Sequence, residues 1–284
     1  MDLRHPPAEV HVDIDLARAL LIAQHPHLMT GPLVLVDEGW DNFTYRVGFE
    51  YAVRIPRRQV AVDLLLNEQK WLPRVAPWLP VAVPLPVGLG VPSDLFPWPW
   101  SVVEWIPGTT AEKTPLELDQ ADLLAYTLRS LHRTAPSDAP FNPFRGVPLE
   151  ARRDVVEERL TRLDLGELVV LWRHALAAAP TEDAVWLHGD LHPRNVLVRD
   201  GTLAGIIDWG DMTAGDMATD LACAWMLFDA RGRSAFLDAY GPTEDERLRA
   251  MGWAVNFASA LVDSGELRHT RMGHSVLRQL VGSS

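Results

Sequence analysis

The sequence holds a single cysteine, Cys223, so no internal disulfide can form and a reducing compartment suits the chain. No apolar run approaches the roughly 20 residues needed to span a bilayer, which argues against a membrane protein. At the start, Asp2, Arg4 and Glu9 have no apolar segment behind them, an argument against a secretory leader and for a cytoplasmic location. Positive charge is also scarce. The chain has 26 Lys and Arg against 38 Asp and Glu, a formal net charge of −12. A nucleic-acid partner would need a basic face, so that class is excluded. An acidic surface keeps a protein soluble and raises the local concentration of cations, which points to a cationic small-molecule substrate. Internal repeats and low-complexity tracts are absent too.

What is present divides unevenly along the chain. The first hundred residues read as short strands with one helix. Leu33–Val36, Phe43–Phe49 and Tyr51–Ile55 are β-branched or aromatic and are parted by turn residues. Asp63–Val75 carries Leu64, Leu65, Trp71, Leu72 and Val75 at helical spacing, with Pro73 set to end or kink it. Val81–Val87 and Trp100–Ile106 read as two further strands, confined to edges or entries by their prolines. Beyond Pro107-Gly108 the chain turns helical, over Leu116–Arg133, Arg152–Leu163, Glu167–Ala179, Met217–Phe228, Arg233–Tyr240, Glu244–Val262 and Glu266–Leu280. The reading is α+β: a small β-rich lobe over 1–103, a connector over 104–110 and a larger helical lobe over 111–284. Net charge is more acidic in the second part, and the chain can serve as a monomer or a dimer.

The densest chemistry lies in residues 186–211. Asp190 stands five residues before Asn195, and Asp208 follows eighteen residues after Asp190. Two apolar runs, Val196–Val198 and Leu203–Ile207, are parted by Asp200-Gly201 and form a hairpin. A hairpin returns its end to its start, so Asn195 and Asp208 are expected to converge. Hard oxygen ligands beside a free carboxylate suit Mg²⁺ and a nucleotide phosphate. Asp190 would accept or orient the proton of an attacking hydroxyl. A competing reading takes His188, Asp190 and His192 as a zinc set on one face of an extended segment. Pro193 directly after them counts against it.

These residues carry a resemblance. His188-Gly-Asp-Leu-His-Pro-Arg-Asn195, followed by Ile207-Asp-Trp-Gly210, resembles the aminoglycoside phosphotransferase family, small-molecule kinases with a protein-kinase-like fold. Gly215-Asp-Met-Ala-Thr-Asp220 is similar to the family's segment after the metal loop, and the likeness spans most of the chain. It implies a two-lobed kinase fold with an antiparallel N-terminal sheet. Asp190 would be the catalytic residue, with Asn195 and Asp208 as Mg²⁺ ligands. ATP would be the nucleotide, with GTP not excluded.

A kinase also needs a strand cation paired with a helix carboxylate. Here Arg54 stands where the family has lysine and keeps the charge for nucleotide-phosphate binding, and Glu68 on the following helix is its natural partner, so both count as nucleotide-binding candidates. Arg57 and Arg58 are nearby alternatives for that cation, though they read as surface residues. Asn42 and Thr44 lie where a phosphate-covering hairpin is expected, with Gly39 before them. The connector at Glu104 and Ile106 would read the purine through its main chain. Asp216 and Asp220 would brace the catalytic loop. Asp211, Glu157, Glu158, Glu244, Asp245, Glu246, Asp263 and Glu266 are the acidic candidates for gripping a cation. An aminoglycoside is the first acceptor suggested. A macrolide, a peptide antibiotic, choline, a sugar or another metabolite comes second, and a non-catalytic nucleotide-binding protein third.

Overall fold

The computed structural model describes residues 7–181 and 183–282, so Asp2 and Arg4 of the leader argument lie outside the described residues. The alternating apolar residues of the first hundred positions build one antiparallel sheet. Its helix α1 (Ile14–Gln24) precedes strands β1 (Leu33–Glu38), β2 (Asn42–Val47) and β3 (Tyr51–Pro56). Helix α2 (Val60–Val75) and strands β4 (Pro86–Gly90) and β5 (Trp100–Glu104) follow. The strand order is β1-β2-β3-β5-β4. Gly48, with φ +56°, turns β2 back into β3 and sets Thr44 opposite Arg54.

Two expectations shift here. Sequence periodicity gives one helix in this region, whereas two form. The first, α1, is started by Asp13, whose side chain accepts from the Leu16 N–H at 2.8 Å. The strand expected over Val81–Val87 begins later, at Pro86. Pro84 and Pro86 have no N–H for the ladder, and pairing with β5 shifts register between Pro86 and Gly88.

The centre of the sheet explains its polar residues. All of Ala52–Pro56 in β3 is buried, so Arg54 is enclosed although it alternates with Val53 and Ile55. On α2 the buried stripe is Leu65, Glu68, Trp71, Leu72 and Val75. A carboxylate inside an apolar stripe needs a partner.

After Pro107 the chain forms β6 (Thr109–Thr110), α3 (Gln120–Leu131), α4 (Arg153–Arg162) and α5 (Val169–Ala177). Strands β7 (Val185–Leu187), β8 (Val196–Arg199), β9 (Thr202–Ile206) and β10 (Thr213–Gly215) come next. Helices α6 (Ala218–Leu221), α7 (Cys223–Leu227), α8 (Ala230–Tyr240), α9 (Glu244–Asp263) and α10 (Leu267–Val281) complete it. The β8–β9 turn has Asp200 at φ 52° and Gly201 at φ 79°, the left-handed pair that a two-residue hairpin requires. Helix α9 is the core of this part: Arg249–Ser259 is entirely buried, and it packs on α4, α5, α6 and α10. A capping box starts it. Thr243 Oγ1 accepts from the Glu246 N–H at 3.2 Å, and Glu246 accepts from the Thr243 N–H at 2.7 Å.

The described residues fall into two compact units. The strand unit runs to Pro107 and includes Ala204–Gly210; the helical unit holds Gly108–Leu203 and Asp211 onward. Among the described residues no helix is long and apolar enough to cross a membrane.

Candidate active site

In the strand unit the centre is Arg54. One terminal nitrogen, Nη1, donates to both oxygens of Glu68, and Nη2 donates to Asp208 Oδ1 at 2.8 Å. Glu68 also accepts from the Trp209 N–H at 3.0 Å, so α2 fixes the backbone beside Asp208. Trp209 is itself pinned by its indole N–H on Ile206 O at 2.9 Å. Burial alone would favour a neutral Arg54, but Glu68 and then Asp208 outweigh it and raise its pKa well above the ordinary value. Asp208 sits at φ 64°, a left-handed conformation that Asp tolerates better than most residues. Its side chain is 55% exposed.

In the helical unit the centre is the loop after β7. Gly189 has φ 87°, and a Cβ there would lie 2.4 Å from Asp211 O, so only glycine fits between His188 and Asp190. Asp220 holds the turn from beneath, accepting from the His188 and Gly189 N–H groups at 2.8 Å each. His132 Nε2 lies 3.2 Å from Asp220, and His132 Nδ1 is 2.7 Å from the Tyr240 hydroxyl. Burial would raise the Asp220 pKa, yet His132 first, with His188 and the Gly189 amide, lowers it. Asp216 acts elsewhere: it forms a buried pair with Arg249 at 2.6 Å and accepts from the Ala218 N–H at 3.0 Å.

Asp190 is gripped on both oxygens. Arg145 Nη2 donates to Oδ1 at 3.0 Å, and His192 Nε2 lies 3.3 Å from Oδ2. His192 Nδ1 accepts from the Arg194 N–H at 3.2 Å, so Nε2 carries the hydrogen and donates. Burial works against the charged form of Asp190. Arg145 and then His192 outweigh it and hold the carboxyl well below the usual carboxylate range.

Asn195 is tied to the same loop. Its Nδ2 donates to Asp190 O at 2.9 Å, which leaves Oδ1 as the acceptor it can offer a cation. A carboxamide oxygen and a carboxylate oxygen are each hard donors of the kind that Mg²⁺ takes. No cluster of three or more His, Cys, Asp or Glu suited to a metal occurs among the described residues. The zinc reading finds no support, since the His192 nitrogens serve the Arg194 amide and Asp190.

The remaining expected residues fall in the strand unit. Asn42 and Thr44 lie on β2, and Asn42 Oδ1 is buried without a hydrogen-bond partner. Arg57 is not a surface residue: it is buried, donates to Gly39 O at 2.7 Å and pairs with Glu38 at 3.0 Å. Arg58 pairs with Asp41 at 2.8 Å, so two arginines brace the turn before Asn42. At the connector, the Glu104 N–H donates to Leu85 O at 3.0 Å and the Trp105 N–H to Glu50 O at 2.8 Å. Ile106 is buried, packing on Gly205.

Most acidic candidates already serve the chain itself. Asp263 pairs with Arg162 and lies 3.7 Å from Arg159; Glu157 pairs with Arg153, Glu244 with Arg247 and Glu266 with His269. Glu246 caps α9, and Asp245 accepts from the Ala179 N–H. Asp211 accepts from Asn142 Nδ2 at 2.7 Å.

Sequence reasoning missed Arg145 and Asn142 altogether. Both lie in the loop Pro140-Phe-Asn-Pro-Phe-Arg-Gly-Val-Pro148, and its polar residues between prolines are the available signal.

Residues 32–252 match the model of a phosphotransferase enzyme family. An aminoglycoside 3'-phosphotransferase from Streptomyces ribosidificus is 34% identical over 137 residues, 44% of this chain and 52% of that protein. The chain spans about half the length of the curated relatives it matches. An aminoglycoside 2'-phosphotransferase-IIIa solved with GDP superposes with a TM-score of 0.73 at 18% identity, covering 96% of this chain and 99% of that one. A macrolide 2'-phosphotransferase from Brachybacterium faecium gives 0.63 at 22% identity, covering 91% and 97%. At such identities the solved structures speak for the fold alone.

Proposed function

The chain belongs to the phosphotransferase enzyme family, and from that premise we propose that it transfers the γ-phosphoryl group of ATP to a hydroxyl of a small molecule. The observation that carries this reading is Asp190. Its carboxylate is ionised and 25% exposed, and it is held on both oxygens with lone pairs left for an acceptor hydroxyl. A carboxyl held so far below its usual range is a weak base. Asp190 therefore orients the hydroxyl more than it deprotonates it, which suits a loose phosphoryl-transfer transition state.

Asn195 and Asp208 are the residues to hold Mg²⁺, which would neutralise charge on the β- and γ-oxygens. Arg54 fixes Asp208 and, through Glu68, the backbone at Trp209. Asn42 and Thr44 would face the phosphates, and the main chain at Glu104 and Ile106 the purine, with GTP as the second nucleotide. The reaction would run in the cytoplasm, where the nucleotide is available. Aminoglycosides and macrolides, the classes named for the relatives, are the first acceptors to supply.

Asp190→Ala should lower kcat by about 10²- to 10⁴-fold, the usual share of such a group, while nucleotide affinity stays within about twofold. The assay is nucleoside diphosphate release across acceptors, with calorimetry for the nucleotide. Turnover kept in this variant would remove Asp190 from its role.

A further inference from the structure

Arginine, rather than open acid, stands beside Asp190. Arg145 reaches Asp190 at 3.0 Å while its guanidinium lies 5.1 Å from the Phe257 ring centre. Its Nε is buried with no hydrogen-bond partner. The adjacent residue, Phe144, is exposed, and Arg152 stands over its ring at 5.7 Å. Arg152 has no ion pair among the described residues, and its Nε too lacks a partner. A third arginine, Arg159, approaches Asn256 on α9, next to Phe257, at 3.4 Å. Arg145 and Arg159 both act electrostatically on Arg152, after burial, to lower its pKa.

Charge balance decides what can dock here. Asp190 is taken by Arg145, and Asp263 is shared between Arg159 and Arg162. Glu150 and Glu157 flank Arg153. Asp211 binds Asn142 and acts on Arg145, and Glu158 acts on Arg159. A polycation needs a surplus of carboxylate at its binding face. This face has two arginines whose Nε lacks a partner and one exposed ring, Phe144.

We propose that Arg145 and Arg152 are specificity-determining residues of the acceptor site, admitting a hydroxyl flanked by neutral or apolar groups and turning away one flanked by ammonium groups. The proposal rests on the reading of Asp190 as the residue that meets the acceptor. It narrows the acceptor class to molecules with few positive charges and an apolar face that can rest on Phe144.

The test uses the full chain with Mg-ATP and two acceptors: polycationic kanamycin, and a macrolide carrying a single amine. Wild type should show the higher kcat/KM with the macrolide. Arg145→Gln and Arg152→Gln should each raise kcat/KM for kanamycin relative to the macrolide by about tenfold, mainly through KM, as relief of one close like-charge contact allows. Arg152→Lys keeps the charge and should keep the wild-type ratio, which separates charge from packing. Melting midpoints of all variants report on folding. A ratio that stays unchanged in both Gln variants, or a wild type that prefers kanamycin, overturns the proposal and leaves Asp190-dependent transfer standing. Absence of Asp190-dependent transfer to either acceptor and to water overturns both readings together.

Discussion

The two units each place an arginine against a carboxylate proposed to act in the reaction, and they do so in opposite ways. In the strand unit, Arg54 is 11% exposed and both terminal nitrogens are consumed, one by Glu68 and one by Asp208. In the helical unit, Arg145 is 24% exposed, makes one bond to Asp190 and keeps an unpartnered Nε. The first arginine ties strand, helix and Asp208 together. The second keeps an unpartnered nitrogen beside Asp190, the carboxylate proposed to meet the acceptor. On the proposed reading the nucleotide apparatus is held constant while the acceptor varies, and the two arginines divide along that line.

The largest effect should come from breaking the rigid centre. Arg54→Met leaves Glu68 buried without a cation in the middle of an apolar stripe. Loss of one partner of a buried pair costs about 3–5 kcal/mol, and that loss should appear in urea unfolding. Nucleotide affinity should fall with it, because Asp208 loses its anchor. A loss below about 1 kcal/mol would show that Arg54 and Glu68 are not the interior tie described here.

Next comes Asp220, the brace of the helical centre. Asp220→Ala strands two buried N–H groups, at His188 and Gly189, and costs about 2–3 kcal/mol. Because Gly189 and Asp190 move with that turn, kcat should fall more than the nucleotide KM rises. Unchanged kcat at reduced stability would confine Asp220 to folding.

The pH response follows from the same centre. Asp190 and Asp220 both have folded pKa values below the ordinary carboxylate value. In the unfolded chain such groups take up protons near pH 4, about 3.9 for Asp. Their stabilisation is therefore fully present above that value and is lost progressively as pH falls below it. Protection factors of the His188 and Gly189 amides, corrected for intrinsic exchange, should fall on acidification more in wild type than in Asp220→Asn, where the titrating group is gone. An equal fall in both would remove Asp220 from the acid response.

How much of this was legible in sequence depends on separation along the chain. Asp190, Asn195 and Asp208 sit within one short stretch whose turn, Asp200-Gly201, can be read from two residues. The Arg54–Glu68 pair was legible because both lie one strand and one helix apart. The Arg145–Asp190 contact spans 45 residues and the Arg54–Asp208 contact 154, and no local periodicity encodes either. Helix α1 was missed because its polar cap, Asp13, stands among other acids with no distinguishing spacing. Arg57 was misread as exposed because strand-end position does not reveal that the turn at Gly39 folds over it.

The smallest effect should sharpen the comparison most. Arg145→Gln removes an arginine–carboxylate pair like that of Arg54, but from a place where both groups still meet water. A partly exposed pair contributes about 0–1 kcal/mol, so urea unfolding should barely register the change. Asp190 keeps His192 and solvent as partners, so it is not stranded as Glu68 would be. Removing the cation also lets the Asp190 carboxyl rise toward its ordinary range, so the acid limb of kcat against pH should move upward in Arg145→Gln. A stability loss matching that of Arg54→Met would make Arg145 a second structural arginine. A small loss with a displaced acid limb keeps it as a residue that sets the charge state beside the acceptor.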